Sequence, residues 1–172
     1  MSIPKTLKKY LDSRKIKYAV IPHKKVFTAY DLAQTLGHEL DKIAKTLLVK
    51  VELPQVKKKG KYVIVAVPAS YRADLDKIKK TLKASKVEIA AERALKKVGI
   101  EPGALSPFAN YHQLELIMDK TLLKARDVIV RAGSLTESIR MKVKDLHKLE
   151  GGTVGAFGSK VKGLKLQKRV KK

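Results

Sequence analysis

The stretch IAKTLLVKVELPQVKKKGKYVIVAVP, residues 43–68, contains two runs rich in Val, Ile and Leu. These runs, residues 46–53 and 62–67, have the length and composition of β-strands. Pro54 and Gly60 bracket the segment between them, so the pattern predicts a β-hairpin. The tip of the predicted hairpin is basic and contains Lys57, Lys58 and Lys59.

Helices and strands alternate on both sides of this hairpin. Apolar residues at helical spacing predict longer helices at residues 4–14, 28–37 and 73–83, and shorter ones at 91–98 and 145–149. The middle helix of the first three is expected to begin after an N-cap at Thr28 and to end at Gly37. Further short strands are predicted at residues 18–21, 87–90, 114–118, 128–130 and 138–143. Because strands outnumber long helices and one connection is a hairpin, we expect an α+β fold with a mixed sheet.

Composition limits the class of protein. With 172 residues, of which 44% are hydrophobic, the chain suits a single domain with an ordinary core. It has no cysteine, which excludes disulfides, cysteine zinc sites, iron–sulfur clusters and a thiol nucleophile. No apolar stretch reaches the length of a membrane helix, and charges interrupt the start, so neither a membrane association nor a signal peptide is expected. We therefore expect a soluble, cytoplasmic protein.

A cluster of glycines divides the predicted domain from a basic tail. Gly151, Gly152, Gly155 and Gly158 follow the last predicted helix, and no acidic residue occurs from Gly151 onward. We therefore expect a folded domain at residues 1–150 and a glycine-containing basic tail at residues 151–172. Such a tail is either an arm that binds nucleic acid or a solvated terminus.

The charge is the first indication of function. Lys and Arg number 39 against 16 Asp and Glu, which gives a net charge of +23 and a pI near 10.1. This excess predicts salt-sensitive contact with nucleic acid. The alternative is a lysine-rich solubilising surface like that of some thermophile proteins.

Common catalytic and metal motifs are missing from the sequence. The glycine-rich residues 151–158 lack the Lys-Ser/Thr ending of a phosphate-binding loop. The four histidines, His23, His38, His112 and His147, lack the spacing of a zinc helix, so we expect no metal and no cofactor. Ser106, His112 and Asp119 could be combined into a triad, but their spacing favours a turn serine and two surface groups.

Two segments are nevertheless unusual. Lys45 follows a predicted helix and lies within the apolar run of residues 43–49. A lysine there either faces a cavity, where it can hold an anion or stabilise developing negative charge, or extends to the surface. Residues 99–108, GIEPGALSPF, contain two glycines and two prolines. Such a loop can present backbone N–H groups to an oxyanion or a phosphate, or it can be only a tight connection.

Together, four ordered blocks resemble a known family. They are FTA, DLA and LG within residues 27–37; IAKTL at residues 43–47; VPA at residues 67–69 with Gly99 and PGALSPF at residues 102–108; and AGS, IRM and DL within residues 132–146. With these blocks, the chain resembles the YbaK/ProX group, the free-standing relatives of the editing domain in bacterial prolyl-tRNA synthetases. The resemblance spans about residues 16–147.

The resemblance implies a mixed, mostly antiparallel, partly barrel-like sheet surrounded by helices. It also implies an enzyme that hydrolyses the ester of tRNA mischarged with a small amino acid: Ala, Cys, Ser or Thr. The partners would be tRNA and an aminoacyl-tRNA synthetase, and we expect a monomer. The alternative is a non-catalytic module with the same fold that binds tRNA or other RNA.

The resemblance matches Lys45 and the loop of residues 99–108 to functional positions of the family, and from these we form a hypothesis for the roles of individual residues. Lys45 matches the family's essential lysine and would anchor the terminal nucleotide or stabilise the ester, and the N–H groups of Gly103 and Ala104 would stabilise an oxyanion. Phe27, Thr28 and Phe108 would wall a side-chain pocket. Further substrate contacts are expected from Thr46, Gly99, Pro102, Ser106, Pro107, Gly133 and Ser134. The acceptor stem would contact the first helix and Lys24, Lys25, Lys57, Lys58, Lys59, Lys160, Lys162, Lys165, Lys168 and Arg169.

The sequence departs from the family pattern at a few positions. Arg131 stands where cysteine-specific members have a serine, and Ser138 stands where they have an aspartate. The His-Pro motif of alanine-specific members is missing from this region. These departures leave the edited amino acid open and make weakened catalysis an alternative.

Overall fold

The computed structural model describes residues 2–55 and 60–166. Its helices in this part of the chain are α1 (Lys5–Ser13), α2 (Ala29–Leu36), α3 (Leu75–Leu82), α4 (Glu92–Lys97) and α5 (Val143–Glu150). Its strands are β1 (Tyr18–Pro22), β2 (Ala44–Glu52), β3 (Lys61–Pro68), β4 (Tyr71–Ala73), β5 (Lys86–Ile89), β6 (Glu115–Asp119), β7 (Asp127–Arg131), β8 (Glu137–Lys142), β9 (Thr153–Gly155) and β10 (Gly158–Lys160). Short 3₁₀ turns lie at Leu40–Lys42, Asn110–His112 and Lys120–Lys124. The predicted tRNA contacts Lys57, Lys58, Lys59, Lys168 and Arg169 lie outside the described residues.

The strands form a mixed arrangement in which antiparallel pairs predominate. A five-stranded sheet has the order β5-β2-β3-β6-β9, a three-stranded sheet has the order β1-β8-β7, and β10 pairs with β4. The pairing of β2 with β3 is antiparallel, which confirms the predicted hairpin, whereas β3, β6 and β9 run parallel to one another. A bridge between Ile43 and Ile129 connects the two larger sheets without closing them into a barrel. The predicted α+β fold is confirmed.

Strand β3 is buried on both of its faces. Ile64 and Ala66 pack in a core cluster with α1 and α5, while Val63 and Val65 point into a second cluster with α3. Side chains alternate between the two faces of a strand, so a strand covered on both sides must be apolar at nearly every position. This is why the sequence signal of the hairpin is so strong.

Helix α2 begins and ends where its sequence predicts. The Thr28 hydroxyl accepts a hydrogen bond from the Asp31 N–H at 3.0 Å. Gly37 ends the helix in the left-handed region, with φ of 70°, which glycine adopts without steric cost. These two caps therefore define the ends of α2.

The predicted boundary at Gly151 is wrong, because packed structure continues to at least Lys160. β9 extends the five-stranded sheet by pairing with β6, and β10 pairs with β4. Between them Phe157 is fully buried. The segment was missed because its short strands are rich in small and polar residues and lack an apolar alternation. No helix in the described part of the chain is long and apolar enough to cross a membrane.

Candidate active site

A cavity of about 400 Å³ lies where the N-terminus of α2, the start of β2, the end of β7 and the loop after α4 meet. Its polar lining includes Thr28, Lys45, Thr46 and Arg131. Apolar side chains complete the wall, among them Ala44, Leu48 and Leu105. Concave sites with mostly apolar walls and a few convergent polar groups are typical of small-molecule binding.

Lys45 lines this cavity from the second position of β2. Its backbone pairs with Val67 of β3, so the strand register determines where its side chain emerges. The side chain is half-buried, and within the described residues no carboxylate forms an ion pair with it. Of the two alternatives that the sequence left open, the structure therefore favours a lysine that faces a cavity.

Gly103 brings the backbone of the loop against the cavity. Its φ is +87°, and a Cβ at this position would lie 2.8 Å from the Phe27 carbonyl oxygen. Only glycine fits such an approach. Among the described residues, no acceptor for the Gly103 N–H is found. This N–H is therefore available to an acceptor.

Ala104 does not have the predicted role. Its N–H donates to the Glu101 carbonyl at 3.0 Å within a tight turn, so it is not available to an oxyanion. Ala104 is almost fully buried, and its own carbonyl accepts a hydrogen bond from the Gly133 N–H at 2.9 Å. Ala104 thus fixes the loop to the segment after β7.

Of the three predicted pocket residues, two line the cavity and one does not. Phe27 lies at its rim and is 57% exposed, and Thr28 follows it as the cap of α2. Phe108 is fully buried in the core cluster beneath the loop, so its prediction as a pocket wall is wrong. Its aromatic ring fills the space between the loop and the sheet.

Of the remaining predicted substrate contacts, one lines the cavity and the others do not. Thr46 lines the cavity next to Lys45. Ser134 is fully buried, and its hydroxyl accepts hydrogen bonds from the Thr136 and Glu137 N–H groups. The lining of this cavity does not include the other predicted contacts, which are Gly99, Pro102, Ser106, Pro107 and Gly133.

Ser106, His112 and Asp119 do not form a triad. Ser106 Oγ and His112 Nε2 lie 3.3 Å apart, and burial lowers the pKa of His112 below its usual value. The Asp119 carboxylate instead accepts hydrogen bonds from the Phe157 and Gly158 N–H groups at 2.8 and 2.7 Å. The interpretation of Asp119 as a surface group is therefore wrong, since it is 2% exposed.

Arg131, which the sequence analysis named as a departure from the family pattern, lines the cavity although no site role was predicted for it. It ends β7 and is 5% exposed, and its Nη2 donates to the Val26 carbonyl at 2.7 Å. Burial lowers the pKa of the guanidinium, while the Asp31 carboxylate raises it. The sequence signal for a buried arginine was that Arg131 directly follows the apolar strand residues 128–130.

Basic residues surround part of the cavity. Lys24 and Lys25 are exposed just before Phe27, and the Lys25 ammonium lies 5.4 Å from the Phe27 ring centroid. Residues 161–166 pass beside α2, where the Tyr30 hydroxyl donates to the Lys165 carbonyl at 2.8 Å. Val161 and Leu164 of this segment line the cavity. The lysines predicted to contact tRNA in this part of the chain, Lys160, Lys162 and Lys165, are exposed.

Known proteins resemble the chain over most of its length. A family model, the aminoacyl-tRNA editing domain, matches residues 23–149. Prolyl-tRNA editing protein ProX of Acetoanaerobium sticklandii is 27% identical over 161 residues, which cover 91% of this chain and 93% of ProX. Proline–tRNA ligase of Staphylococcus aureus is 28% identical over 108 residues, which cover 62% of this chain and 18% of the ligase.

Among solved structures, that of the hypothetical protein APE2540 has a TM-score of 0.78 at 19% identity and covers 90% of this chain and 100% of its own. This similarity confirms the fold. The predicted resemblance to the YbaK/ProX group is confirmed by the ProX relative and by the family match. Because the family match spans residues 23–149, which is most of the chain, the protein belongs to the aminoacyl-tRNA editing domain family.

Proposed function

We propose that the protein is a trans-editing hydrolase that cleaves the ester of tRNA mischarged with a small amino acid. The observation that carries this proposal is Lys45, which lines the cavity without a carboxylate partner among the described residues of an editing-family domain. The cavity has room for a small aminoacyl group, and apolar residues such as Ala44 and Leu105 line it.

The chemistry requires few protein groups because an aminoacyl ester is already activated. Water attacks the carbonyl carbon, the bond to the ribose oxygen breaks, and the ribose hydroxyl leaves with a proton. The Lys45 ammonium and the free Gly103 N–H can stabilise negative charge that develops on the carbonyl oxygen. In this proposal the substrate's own hydroxyl or amino group assists the proton transfer, as the family resemblance implies.

The exposed lysines near the cavity suit the phosphates of an acceptor stem. Lys24 and Lys25 lie at the rim beside Phe27, and Lys160, Lys162 and Lys165 flank the segment that closes the other side. Such contacts orient the tRNA and make its affinity depend on salt. An aminoacyl-tRNA synthetase remains a further predicted partner, and a monomer remains the expected state.

The proposal is tested by measuring deacylation of tRNAs charged separately with alanine, cysteine, serine, threonine and proline. Release of one or more of the four small amino acids, with a correctly charged proline tRNA spared, is the expected result. If none of the esters is cleaved while all the tRNAs bind with strong salt dependence, the non-catalytic RNA-binding module is the correct function.

A truncation tests the basic tail. Deleting residues 167–172 removes Lys168, Arg169, Lys171 and Lys172 but leaves β10 and the segment that lines the cavity. Each lost phosphate contact should make the slope of log affinity against log salt less negative by about 0.7–0.9. We therefore expect tRNA affinity to fall about tenfold at low salt.

The double variant Lys79→Ala/Lys80→Ala is the control for loss of charge alone, since α3 contributes no described residue to the cavity lining. The truncation removes four positive charges and the double variant two, so the changes in slope are compared per charge removed, and the change per charge should be smaller for the double variant. A truncated protein with the full slope would show that the last six residues do not contact tRNA.

A further inference from the structure

Two residues that line the cavity each carry a buried polar atom without a hydrogen-bond partner among the described residues. In the described part of the chain, Thr46 Oγ1 and Arg131 Nη1 are the buried side-chain polar atoms that have no hydrogen-bond partner. Both residues line the same cavity, although one belongs to β2 and the other to β7. Buried polar groups in folded proteins are almost always hydrogen-bonded. Two unpartnered polar atoms (orphan atoms) on residues of the same cavity therefore require an explanation.

The unpartnered groups cost stability unless something fills the cavity. A buried donor without an acceptor has lost its hydration without compensation, and the loss is larger when the donor is charged. Arg131 Nη2 is already bound to the Val26 carbonyl, which fixes the plane of the guanidinium. Nη1 of the same guanidinium therefore remains a buried donor without an acceptor in the described part of the chain.

The depth of the two residues indicates which part of a substrate they meet. Arg131 is 5% exposed, whereas Phe27 at the rim is 57% exposed and Lys45 lies between these extremes. The tRNA body cannot enter a cavity of about 400 Å³, so only the charged 3′ end of a tRNA can occupy it. The amino-acid side chain is the smallest part of that end, so we assign it to the most buried polar residue, Arg131.

We propose that Arg131 and Thr46 form a recognition site for the side-chain hydroxyl of serine or threonine carried by the tRNA. Such a hydroxyl accepts a hydrogen bond from Arg131 Nη1 and donates one to Thr46 Oγ1, so both orphan atoms gain a partner. The methyl group of alanine satisfies neither atom, and a thiol is a weak acceptor and donor. This inference rests on the proposed function.

A neutral hydroxyl suits the charge of the site better than a carboxylate. The guanidinium already interacts electrostatically with the Asp31 carboxylate, which supports its charged form. An acidic amino acid would bring a second negative group near Asp31 and would have to lose its hydration. The site therefore requires an acceptor oxygen more than it requires another charge.

The test compares kcat/KM for seryl- and alanyl-esters of the same tRNA, because these substrates differ by one oxygen atom. The unmodified protein should prefer the seryl ester about 100-fold, since a site built for a hydroxyl leaves buried groups unpaired with the analogue that lacks it. Arg131→Met should reduce this preference at least tenfold, mainly by slowing seryl hydrolysis. Thr46→Val, which is similar in shape and lacks the hydroxyl, should also reduce the preference.

Arg93→Met is the matched control because Arg93 is exposed on α4 and does not line the cavity, so it should keep the full preference. An equal loss on both esters in Arg131→Met would place Arg131 on a part common to all substrates and would overturn the inference. Should Arg131→Met not fold, Thr46→Val decides by the same ratio. Hydrolysis of the alanyl ester as fast as the seryl ester, or a faster aspartyl ester, overturns this inference alone. If no ester is cleaved, both this inference and the proposed function are wrong.

Discussion

Replacing Lys45 with methionine should slow the hydrolysis of mischarged tRNA about 100-fold or more, with little change in tRNA affinity. Methionine keeps most of the length of the side chain and removes the ammonium that lines the cavity. Loss of one group that stabilises an oxyanion typically costs 10²–10³ in rate. One phosphate contact among many contributes little to the affinity of a protein with a net charge of +23.

Lys50→Met is the matched control for this variant. Lys50 lies on the same strand and is also half-buried, but it does not line the cavity. Its backbone lies opposite Tyr62 of β3 and Glu88 of β5 in the sheet. Its hydrolysis rate should stay within about threefold of that of the unmodified protein, because no group near the ester changes. The comparison thus separates the position of the ammonium from the loss of one positive charge.

Single-turnover rates at saturating protein are the measurement, because they report the chemical step independently of tRNA binding. Filter binding of uncharged tRNA gives the affinity of each variant. Unchanged hydrolysis by Lys45→Met would show that the assignment of the site is wrong. A large loss of affinity together with hydrolysis would instead place Lys45 among the groups that hold the tRNA.

Elements with strong local signals could be predicted from the sequence. The hairpin was predictable because β3 is covered on both faces and is therefore apolar along its whole length. Helix α2 was predictable because Thr28 and Gly37 supply the hydrogen bonds and the backbone geometry of its two ends. Lys45 stood out because it interrupts an apolar run at the start of the hairpin.

The parts of the site that depend on tertiary contacts could not be predicted. Whether the Ala104 N–H is free depends on the turn that brings the Glu101 carbonyl to it. Whether Phe108 faces the cavity or the core depends on how the loop packs against the sheet. The two orphan atoms of Thr46 and Arg131 come together only when β2 and β7 are adjacent.

The segment after Gly151 shows the same limit for the fold. Its strands have three residues each and include small residues such as Gly155 and Gly158, so they have no apolar pattern. What holds them is distant in sequence: β9 pairs with β6, and the Asp119 carboxylate binds the backbone before and within β10. A local pattern contains no information about an anchor 38 residues away.

Replacing that anchor, in Asp119→Ala, should lower the free energy of unfolding by about 3 kcal/mol. The buried carboxylate accepts hydrogen bonds from the N–H groups of Thr121, Phe157 and Gly158 at 2.9, 2.8 and 2.7 Å, and Thr121 Oγ1 also donates to it. Alanine leaves these donors unsatisfied in a site that is 2% exposed. For a chain of this length the loss corresponds to a decrease in Tm of about 6–12 °C.

Asp127→Ala is the control, because this half-exposed carboxylate forms, among the described residues, one ion pair, with Arg140 at 3.6 Å, and should contribute less than about 1 kcal/mol. Urea unfolding of both variants gives the comparison, and equal losses would show that Asp119 is not an anchor. Hydrolysis should fall with stability in Asp119→Ala, since Val161 and Leu164, which follow β10, line the cavity. A segment that sequence alone assigns to a tail therefore connects the stability of the sheet to the shape of the site.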